Sequence, residues 1–391
     1  MANRQAQRMK GVPYSGLRKM MMRAGELGRE GKPVIHLEIG RPDFDTPAHI
    51  KAAARRALEE GEVHYTSNYG VSELRHAIAG KLRSENGLEF DENGEIAVTI
   101  GANEAVFLAM MAFLNEGDEV LVPDPSWLNY FYCITMAGGV PVSVPLRAEK
   151  GFRMDPEDVA RLLTPRTRMM VVMSPHNPTG AVLDLGHLEA LAALARERDL
   201  LVLADEIYEK MLYDGAVHHS IGGLPGMRER TLLVNGFSKS YSMTGWRLGY
   251  VAAPRDLIDV MIRVHQYTVM CATSFAQYGA VAAYEGPQDC VHDMRREFTR
   301  RRELILRRLQ AMEGIDCPVP EGAFYAFPSV RRLGHSCQVV AEHLLEDAYI
   351  ATVPGSAFGK YGTGHIRLAY ANSYENIEEA MDRMETSLAK L

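Results

Sequence analysis

The stretch GFSKSYSMTGWRLGY, residues 236–250, holds the side chains best suited to covalent chemistry. Lys239 follows the apolar run TLLVNGFS, so we expect its amine to lie at the end of a strand. Ser238 precedes this lysine and Arg247 follows it, and both are good phosphate ligands, the arginine through two charge-assisted hydrogen bonds. An amine beside a phosphate site suggests pyridoxal phosphate. A lysine alone is more often a solvated surface residue, so other parts of the chain must supply the remaining contacts.

Two further apolar runs end in groups that suit a phosphate or an aromatic ring. The run EIAVTI leads into Gly101, Ala102 and Asn103, which open a helix whose free amides and dipole favour an anion. A glycine at such a point is by itself more often only a turn. The run EVLVP leads into DPSWLNY, in which Trp127 either stacks on a ring or packs in the core.

Two more runs end in polar groups that would face the same place. MMVVMS leads into SPHNPTG, where two prolines hold the amide of Asn177, while His176 is more typical of an ordinary polar loop residue. LLVLAD ends in Asp205, a carboxylate among apolar residues that needs a cation such as a pyridinium nitrogen, or else caps a helix. Tyr208 is close enough in sequence to offer its hydroxyl to the same ring.

Composition excludes several other classes of protein. The net charge of -7 and pI near 6.0 argue against a nucleic-acid or anionic-membrane surface, and we expect the arginine cluster RRELILRR (301–308) to be a solvated helix face. The five cysteines are widely spaced, which indicates neither disulfides nor zinc. The adjacent His218 and His219 have no spaced carboxylate or thiol, so we expect a surface loop and no metal site. With no signal or membrane segment, a cytoplasmic location is expected.

The elements that must position these groups alternate along the chain. Helical patterns at 48–60, 72–85, 103–115, 155–163, 185–198 and 255–265 separate apolar runs, which predicts an α/β fold with a mostly parallel sheet covered on two faces. A long helix at 291–312 then leads into short strands and helices. We predict a large domain over residues 46–285 and a smaller α+β domain formed by 1–45 and 286–391.

At this point the sequence resembles the class I and II aminotransferases, the fold type I enzymes that depend on pyridoxal phosphate and include aspartate aminotransferase. GFSKSYSMTGWRLG fits the lysine signature of that family, and SPHNPTG and ADEIYEK are its other marks. LEIGRPDFDTP, HYTSNYG, EGAFYAFP and VPGSAFG extend the match over most of the chain. In SPHNPTG, His176 stands where many relatives have asparagine.

The resemblance implies a role for residues at matching positions. Lys239 would form the Schiff base and act in catalysis with Asp205, the partner of the pyridine nitrogen, and Tyr208. Asn177 with Tyr208 would bond the ring hydroxyl, and Trp127 would stack on the ring.

The resemblance also implies contacts to the phosphate and the substrate. Ala102, Asn103, Ser238 and Arg247 would hold the phosphate, with Tyr65 supplied from the adjacent subunit of a homodimer. The substrate would be bound by Arg367 at its α-carboxylate, beside the backbone of Gly40, with Trp127, Asn177 and Tyr14 around it.

Transfer of an amino group between an L-amino acid and a 2-oxo acid, with ping-pong kinetics, is the activity so implied. A lyase or synthase of the same fold, of the carbon–sulfur lyase or aminocyclopropane-carboxylate synthase type, remains an alternative, and so does a regulatory module without turnover. The segment YTVMCATS (267–274) carries no basic residue, and walls of Tyr14, Trp127 and Met270 would suit an apolar or aromatic donor. We therefore favour a neutral donor, with a broad aspartate-type enzyme as the alternative.

Overall fold

A computed structural model describes residues 5–14 and 16–391 of the chain. Its central layer is a seven-stranded sheet with the order β2-β8-β7-β6-β5-β3-β4. The strands are β2 (Ile96–Thr99), β3 (Glu119–Asp124), β4 (Val140–Pro145), β5 (Thr167–Met173), β6 (Leu201–Asp205), β7 (Thr231–Gly236) and β8 (Gly249–Ala252). In the sheet, β4, β3, β5, β6 and β7 are successive neighbours and pair in parallel, whereas β8 pairs antiparallel with both β7 and β2. The prediction of a mostly parallel sheet is confirmed.

Helices flank this sheet and account for most of the remaining regular structure. They are α1 (Gly16–Arg29), α2 (Ala48–Glu59), α3 (Ser72–Lys81), α4 (Gly101–Phe113), α5 (Asn129–Met136), α6 (Pro156–Leu162), α7 (Leu185–Glu197), α8 (Arg255–Thr268), α9 (Ser274–Glu285), α10 (Asp289–Ala311), α11 (Cys337–Asp347) and α12 (Tyr374–Leu388). Side-chain caps fix four of the starts, because Asp155, Asp184, Ser336 and Ser373 accept backbone N–H bonds at the first turns of α6, α7, α11 and α12.

Apolar cores lie on both faces of the sheet. Along β5, Met169 and Val171 belong to one buried cluster, while Met170 and Val172 point into a second cluster on the opposite side. All four side chains are buried. Because successive residues of a strand face opposite ways, an uninterrupted apolar run such as this one requires cover on both faces.

Four elements of this region were not predicted, namely β4, β8, α5 and α9. β4 reads VPVSVP after two glycines, a composition typical of a turn. It can be a strand because it lies at the edge of the sheet, where proline's missing N–H removes no ladder bond. β8 has only four residues and directly follows the polar tract that contains Arg247.

The N-terminal and C-terminal parts of the chain form two smaller sheets. β1 (Ile35–His36) pairs in parallel with β10 (Ile350–Ala351). β9 (Tyr325–Ala326), β11 (Val353–Pro354) and β12 (Ile366–Ala369) form an antiparallel sheet in the order β11-β12-β9. The division into two domains stays a prediction. Across the described residues, we find no helix that combines the length and the apolar character needed to cross a membrane.

The arginine cluster on α10 corrects an expectation. Arg301 and Arg302 are buried instead of solvated, with 5% and 3% of their surface exposed. Arg301 donates to Asp43 at 2.7 Å and lies over the ring of Phe44, and Arg302 donates to the carbonyl of Pro320 at 2.7 Å and pairs with Asp214. The sequence pattern could not reveal this, because the partners come from distant segments.

Candidate active site

A cavity of about 310 Å³ lies at the carboxyl edge of the seven-stranded sheet. Eleven of the fourteen residues that the sequence analysis placed in the site line it: Gly40, Ala102, Asn103, Trp127, Asn177, Asp205, Tyr208, Ser238, Lys239, Arg247 and Arg367. Tyr14, Tyr65 and Met270 do not, and they are 86%, 84% and 41% exposed on this chain.

Strand direction explains why these groups meet. Asp205 ends β6, Asn177 follows β5, and Lys239 follows β7, and these three strands are parallel neighbours. The carboxyl ends of parallel strands meet at one edge of a sheet, which is where ligands of open α/β folds bind. Antiparallel β8 begins at that same edge, because Gly249 is paired with Gly236, so Arg247 also arrives there.

The start of α4 and the start of β8 approach each other unusually closely. Gly101 has φ +73°, and a Cβ at this position would come within 2.6 Å of the Arg247 guanidinium. A Cβ on Gly249 would lie 2.4 Å from the amide nitrogen of Ala102. Arg247 itself adopts φ +56°, a conformation that side-chain-bearing residues rarely take. A helix N-terminus and an arginine are thus held together at one end of the cavity, an arrangement that attracts an anion.

Asp205 is a buried carboxylate, with 2% of its surface exposed. It accepts hydrogen bonds from the Tyr130 hydroxyl at 2.5 Å and from the backbone N–H of Ile207 at 3.1 Å. Burial raises the pKa of Asp205 to about 6, although the bond from Tyr130 opposes this rise. No cationic side chain of the described residues forms an ion pair with it, so the site retains an uncompensated demand for positive charge.

The amine of Lys239 lies in the same cavity and donates to the carbonyl of Gly40 at 2.6 Å. Burial, aided by the positive charges of Arg367 and Arg247, lowers the pKa of Lys239 to about 8. A sizeable fraction of this amine is therefore neutral, and hence nucleophilic, just above neutral pH.

Arg367 projects from β12 and is buried, with 3% of its surface exposed. Its guanidinium donates to the side-chain oxygen of Asn177 at 3.1 Å and to the carbonyl of Glu38 at 2.5 Å. Its Nε atom is buried without a partner among the described residues. Burial lowers the pKa of this guanidinium. A buried cation held only by neutral oxygens is well suited to receive a carboxylate.

Several lining residues escaped the sequence analysis. Tyr325, Leu17 and Phe358 line the cavity, and Tyr130 bonds Asp205 behind it. Tyr325 and Phe358 belong to the motifs EGAFYAFP and VPGSAFG, which resemble the family without pointing to a role for either side chain. Tyr130 lies three residues after Trp127, and their rings meet edge-on at 5.2 Å.

The structure also corrects the interpretation of His218. Its side chain is only 9% exposed and its ring lies 3.0 Å from the Glu206 carboxylate, so it is not a surface residue. Glu206, Glu209 and His218 place ligand atoms within 4.8 Å of one another, but Lys81 already pairs with Glu209 in this cluster. His176 is buried outside the cavity lining, bonds Thr179 at 2.8 Å, and has its pKa lowered to about 3 by burial, so its ring is neutral.

A nucleophilic lysine, a buried carboxylate and a buried arginine around one cavity at this edge of an α/β sheet define an enzyme site for amino-acid chemistry. Comparison with known proteins makes the class specific. The sequence model of the family described as aminotransferase class I and II matches residues 32–384. The chain belongs to that family.

Some similar proteins are named aspartate aminotransferases and others aromatic aminotransferases. An aspartate aminotransferase from Pyrococcus abyssi is 47% identical, over 91% of this chain and 92% of its own length. Aromatic-amino-acid aminotransferase 2 from Thermococcus litoralis is 44% identical, with 97% of each chain covered. The crystal structure of an aromatic aminotransferase from Pyrococcus horikoshii is 46% identical, with a TM-score of 0.90 over 94% of this chain and 99% of that one.

The protein is therefore a transaminase, with the fold type I architecture of its structural relatives. It transfers amino groups between amino acids and 2-oxo acids. The lyase alternative is not favoured, because relatives over nearly the full length are named aminotransferases.

Proposed function

We propose that this aminotransferase works with pyridoxal phosphate bound in the 310 Å³ cavity and prefers a neutral, apolar or aromatic amino donor over aspartate. The observation that carries the proposal is the convergence of Lys239, Asp205 and Arg367 on one cavity. No other nucleophile is needed for the reaction.

The residues present fit this cofactor. Asp205 is buried without an ionic partner among the described residues, and a pyridinium nitrogen would supply the missing positive charge. The close approach of Gly101 to Arg247 brings the start of α4 and a guanidinium together at the cavity, which suits a phosphate. Ala102, Asn103 and Ser238 would complete that phosphate site, Trp127 would cover the ring, and Asn177 with Tyr208 would bond its hydroxyl.

When bound, the cofactor's protonated ring supplies an electron sink for the bond that breaks at the substrate Cα. Asp205 would keep the ring nitrogen protonated, because the charge of the carboxylate is compensated only in that state. Lys239 would hold the cofactor before the substrate arrives, and its freed Nζ would accept the proton from the substrate Cα and later donate it as an acid. Its lowered pKa suits both steps near pH 8.

Arg367 orients the substrate. Its two terminal nitrogens now donate to Asn177 and Glu38, and they would turn to the two oxygens of an α-carboxylate. This clamp fixes which bond at Cα lies toward the ring, and so which bond breaks. Two half-reactions that share one amino-group carrier give ping-pong kinetics.

The preference for a neutral donor is supported by the charges around the cavity. Its cationic lining residues are Lys239, Arg247 and Arg367, and each already has a proposed role. Leu17, Trp127 and Phe358 supply apolar walls instead. Tyr14 and Met270, which the sequence analysis places in the pocket, are not lining residues of this single chain. A second carboxylate would remain poorly paired, at a cost of roughly 1–3 kcal/mol.

A panel of amino donors tests the proposal. We expect kcat/KM for phenylalanine, tyrosine and leucine to exceed that for aspartate and glutamate by roughly five- to hundredfold. Alanine is the control for side-chain size, because it has no second carboxylate and its only side-chain group is a small methyl. A higher kcat/KM for aspartate than for phenylalanine would reject the proposed preference, and release of ammonia without an oxo-acid acceptor would reject transamination as the main reaction.

A further inference from the structure

Tyr325 contacts both functional ends of the cavity, although its neighbours belong to different elements. It lies in β9, Tyr208 follows β6, and Arg367 lies in β12. The side chain is 1% exposed and lines the cavity. One residue is therefore in contact with the phenol assigned to the cofactor and with the arginine assigned to the substrate.

The hydroxyl of Tyr325 lies 2.7 Å from the hydroxyl of Tyr208. When Tyr325 donates in this pair, the proton of Tyr208 is left for an acceptor inside the cavity. A hydroxyl that accepts one hydrogen bond also donates a stronger one, because the two bonds polarise each other. The Tyr325 hydroxyl can thus strengthen the bond that Tyr208 makes.

The ring of Tyr325 has a separate contact. The guanidinium carbon of Arg367 lies 4.5 Å from its centroid, within the range of a cation–π interaction. Strand pairing fixes this geometry, since Tyr325 is opposite Ala369 in the β9–β12 ladder, two residues beyond Arg367. The aromatic face positions the arginine without occupying the N–H groups that a carboxylate needs.

The backbone of Gly40 packs closely against the side chain of Tyr325. A Cβ at Gly40 would lie only 2.4 Å from the Tyr325 hydroxyl oxygen. Gly40 also supplies the carbonyl that Lys239 bonds. The position of Tyr325 therefore depends on close packing from three sides.

We propose that Tyr325 is a positioning residue with two separable roles: its hydroxyl directs Tyr208 toward the ring oxygen of the cofactor, and its ring holds Arg367 ready for the substrate carboxylate. The inference rests on the proposed function, which places the cofactor beside Tyr208 and the substrate beside Arg367.

Two substitutions separate the roles. Tyr325→Phe removes the hydroxyl and keeps the ring, while Tyr325→Leu removes both. Tyr370→Phe is the matched control, because Tyr370 is a fully buried tyrosine whose hydroxyl donates to the carbonyl of Ala323 and which does not line the cavity. Three quantities are measured. They are the dissociation constant of pyridoxal phosphate, from its titration into cofactor-free protein, the pH midpoint of the absorbance change of the bound cofactor, and KM for the best amino donor.

For Tyr325→Phe we expect a roughly fivefold weaker affinity for pyridoxal phosphate and a higher pH midpoint, because a weaker bond to the ring oxygen makes the chromophore harder to deprotonate. KM should stay close to that of the wild type. For Tyr325→Leu we expect KM to rise by about tenfold in addition. Tyr370→Phe should move none of the three.

The proposal is overturned if Tyr325→Phe matches Tyr370→Phe in both cofactor readouts, or if Tyr325→Leu leaves KM unchanged. Should the leucine variant not fold, Tyr325→Met replaces it for the KM measurement. Failure of the proposed function is seen separately, in the wild-type protein. In that case the absorbance of the bound cofactor is absent from the wild type, or it is present and Lys239→Ala does not abolish it.

Discussion

Lys239 and Asp205 have pKa values that burial moves toward each other, to about 8 and about 6. Ordinary lysine and aspartate side chains titrate far apart, at opposite ends of the pH scale. With a pKa of about 8, Lys239 changes protonation close to neutral pH, where proton transfer by general acids and bases is most effective, whereas Asp205 is the proposed counter-charge of the ring nitrogen. Loss of either side chain should therefore have a distinct signature.

Lys239→Ala is expected to abolish the borohydride-reducible link to pyridoxal phosphate and to lower kcat by roughly a thousandfold or more, because the covalent attachment and the proton relay depend on one amine. The far-ultraviolet circular dichroism spectrum should stay unchanged. Lys19→Ala is the control, since its side chain is 77% exposed on α1. A variant that kept both the link and the turnover would show that another lysine is the catalytic one.

Asp205→Asn is expected to stabilise the cofactor-free protein against unfolding and to lower the turnover of the cofactor-loaded enzyme. The folded-state pKa of about 6 lies above the ordinary value of 3.8, so the folded state holds the proton more tightly. The wild type then loses stability as the pH rises from about 4 to about 6, and at pH 7.5 the asparagine variant should unfold with a free energy roughly 1–3 kcal/mol higher.

Urea unfolding of both cofactor-free proteins at pH 4.5 and pH 7.5 measures this difference. Glu189→Gln, an exposed carboxylate on α7, controls for the loss of a charge. Equal free energies of unfolding for the wild type and the asparagine variant at pH 7.5 would show that burial does not destabilise the charged form of Asp205.

Some of the site residues could be predicted from the sequence, whereas others are found only in the structure. Lys239, Asp205 and Asn177 could be predicted because each directly follows an apolar run, and strand ends of a parallel sheet converge. Tyr325 and Tyr130 could not, because their roles arise from contacts with Tyr208 and Asp205, which are distant in sequence. Spacing along the chain carries no record of such pairs.

At the scale of elements, the junction between α4 and β8 carries the anion end of the cavity. Its geometry depends on glycine at position 101, where φ is +73° and the Arg247 side chain leaves no room for a Cβ. The start of α4 could be predicted because it follows an apolar run. β8 could not be recognised, because it has only four residues and follows a polar segment. The close packing of the two elements was therefore not predictable.

Gly101→Ala should weaken recognition of the phosphate specifically. The added methyl group would displace Arg247 and strain a left-handed backbone. We expect the affinity for pyridoxal phosphate to fall by roughly tenfold relative to that for pyridoxal, which lacks the phosphate. Fluorescence titration of cofactor-free protein with both compounds measures the ratio.

Gly80→Ala provides the control, because a Cβ there meets nothing within 4 Å. An equal loss of affinity for both compounds in Gly101→Ala would mean that the substitution damages the fold and not the phosphate site.

At the scale of the whole molecule, an exposed aromatic surface concerns assembly. Tyr65 and Tyr267 are 84% and 85% exposed. Their segments are joined by hydrogen bonds from Asn68 to Gln266 and from Ser274 to the carbonyl of Glu62. Large aromatic side chains so exposed are typical of a protein interface.

We propose a homodimer in which Tyr65 completes the phosphate site of the partner subunit. Mixing inactive Tyr65→Ala and Lys239→Ala proteins should then restore up to about a quarter of the wild-type activity, because each mixed dimer contains one intact site. Refolding the two variants together, with each refolded alone as the control, measures the recovery. Full activity in a chain that elutes as a monomer would contradict shared sites.

The pairing of β1 with β10 has a consequence during synthesis. Ile35 is opposite Ile350, so β1 cannot pair with β10 until the ribosome has passed Ile350. Until then, the apolar side chains of Met20, Leu27 and Leu37, buried in the finished protein, lack part of their cover. Contacts so distant in sequence also close slowly. A chain that terminates before Ile350 would therefore leave part of this apolar segment uncovered, and we expect such truncated products to aggregate.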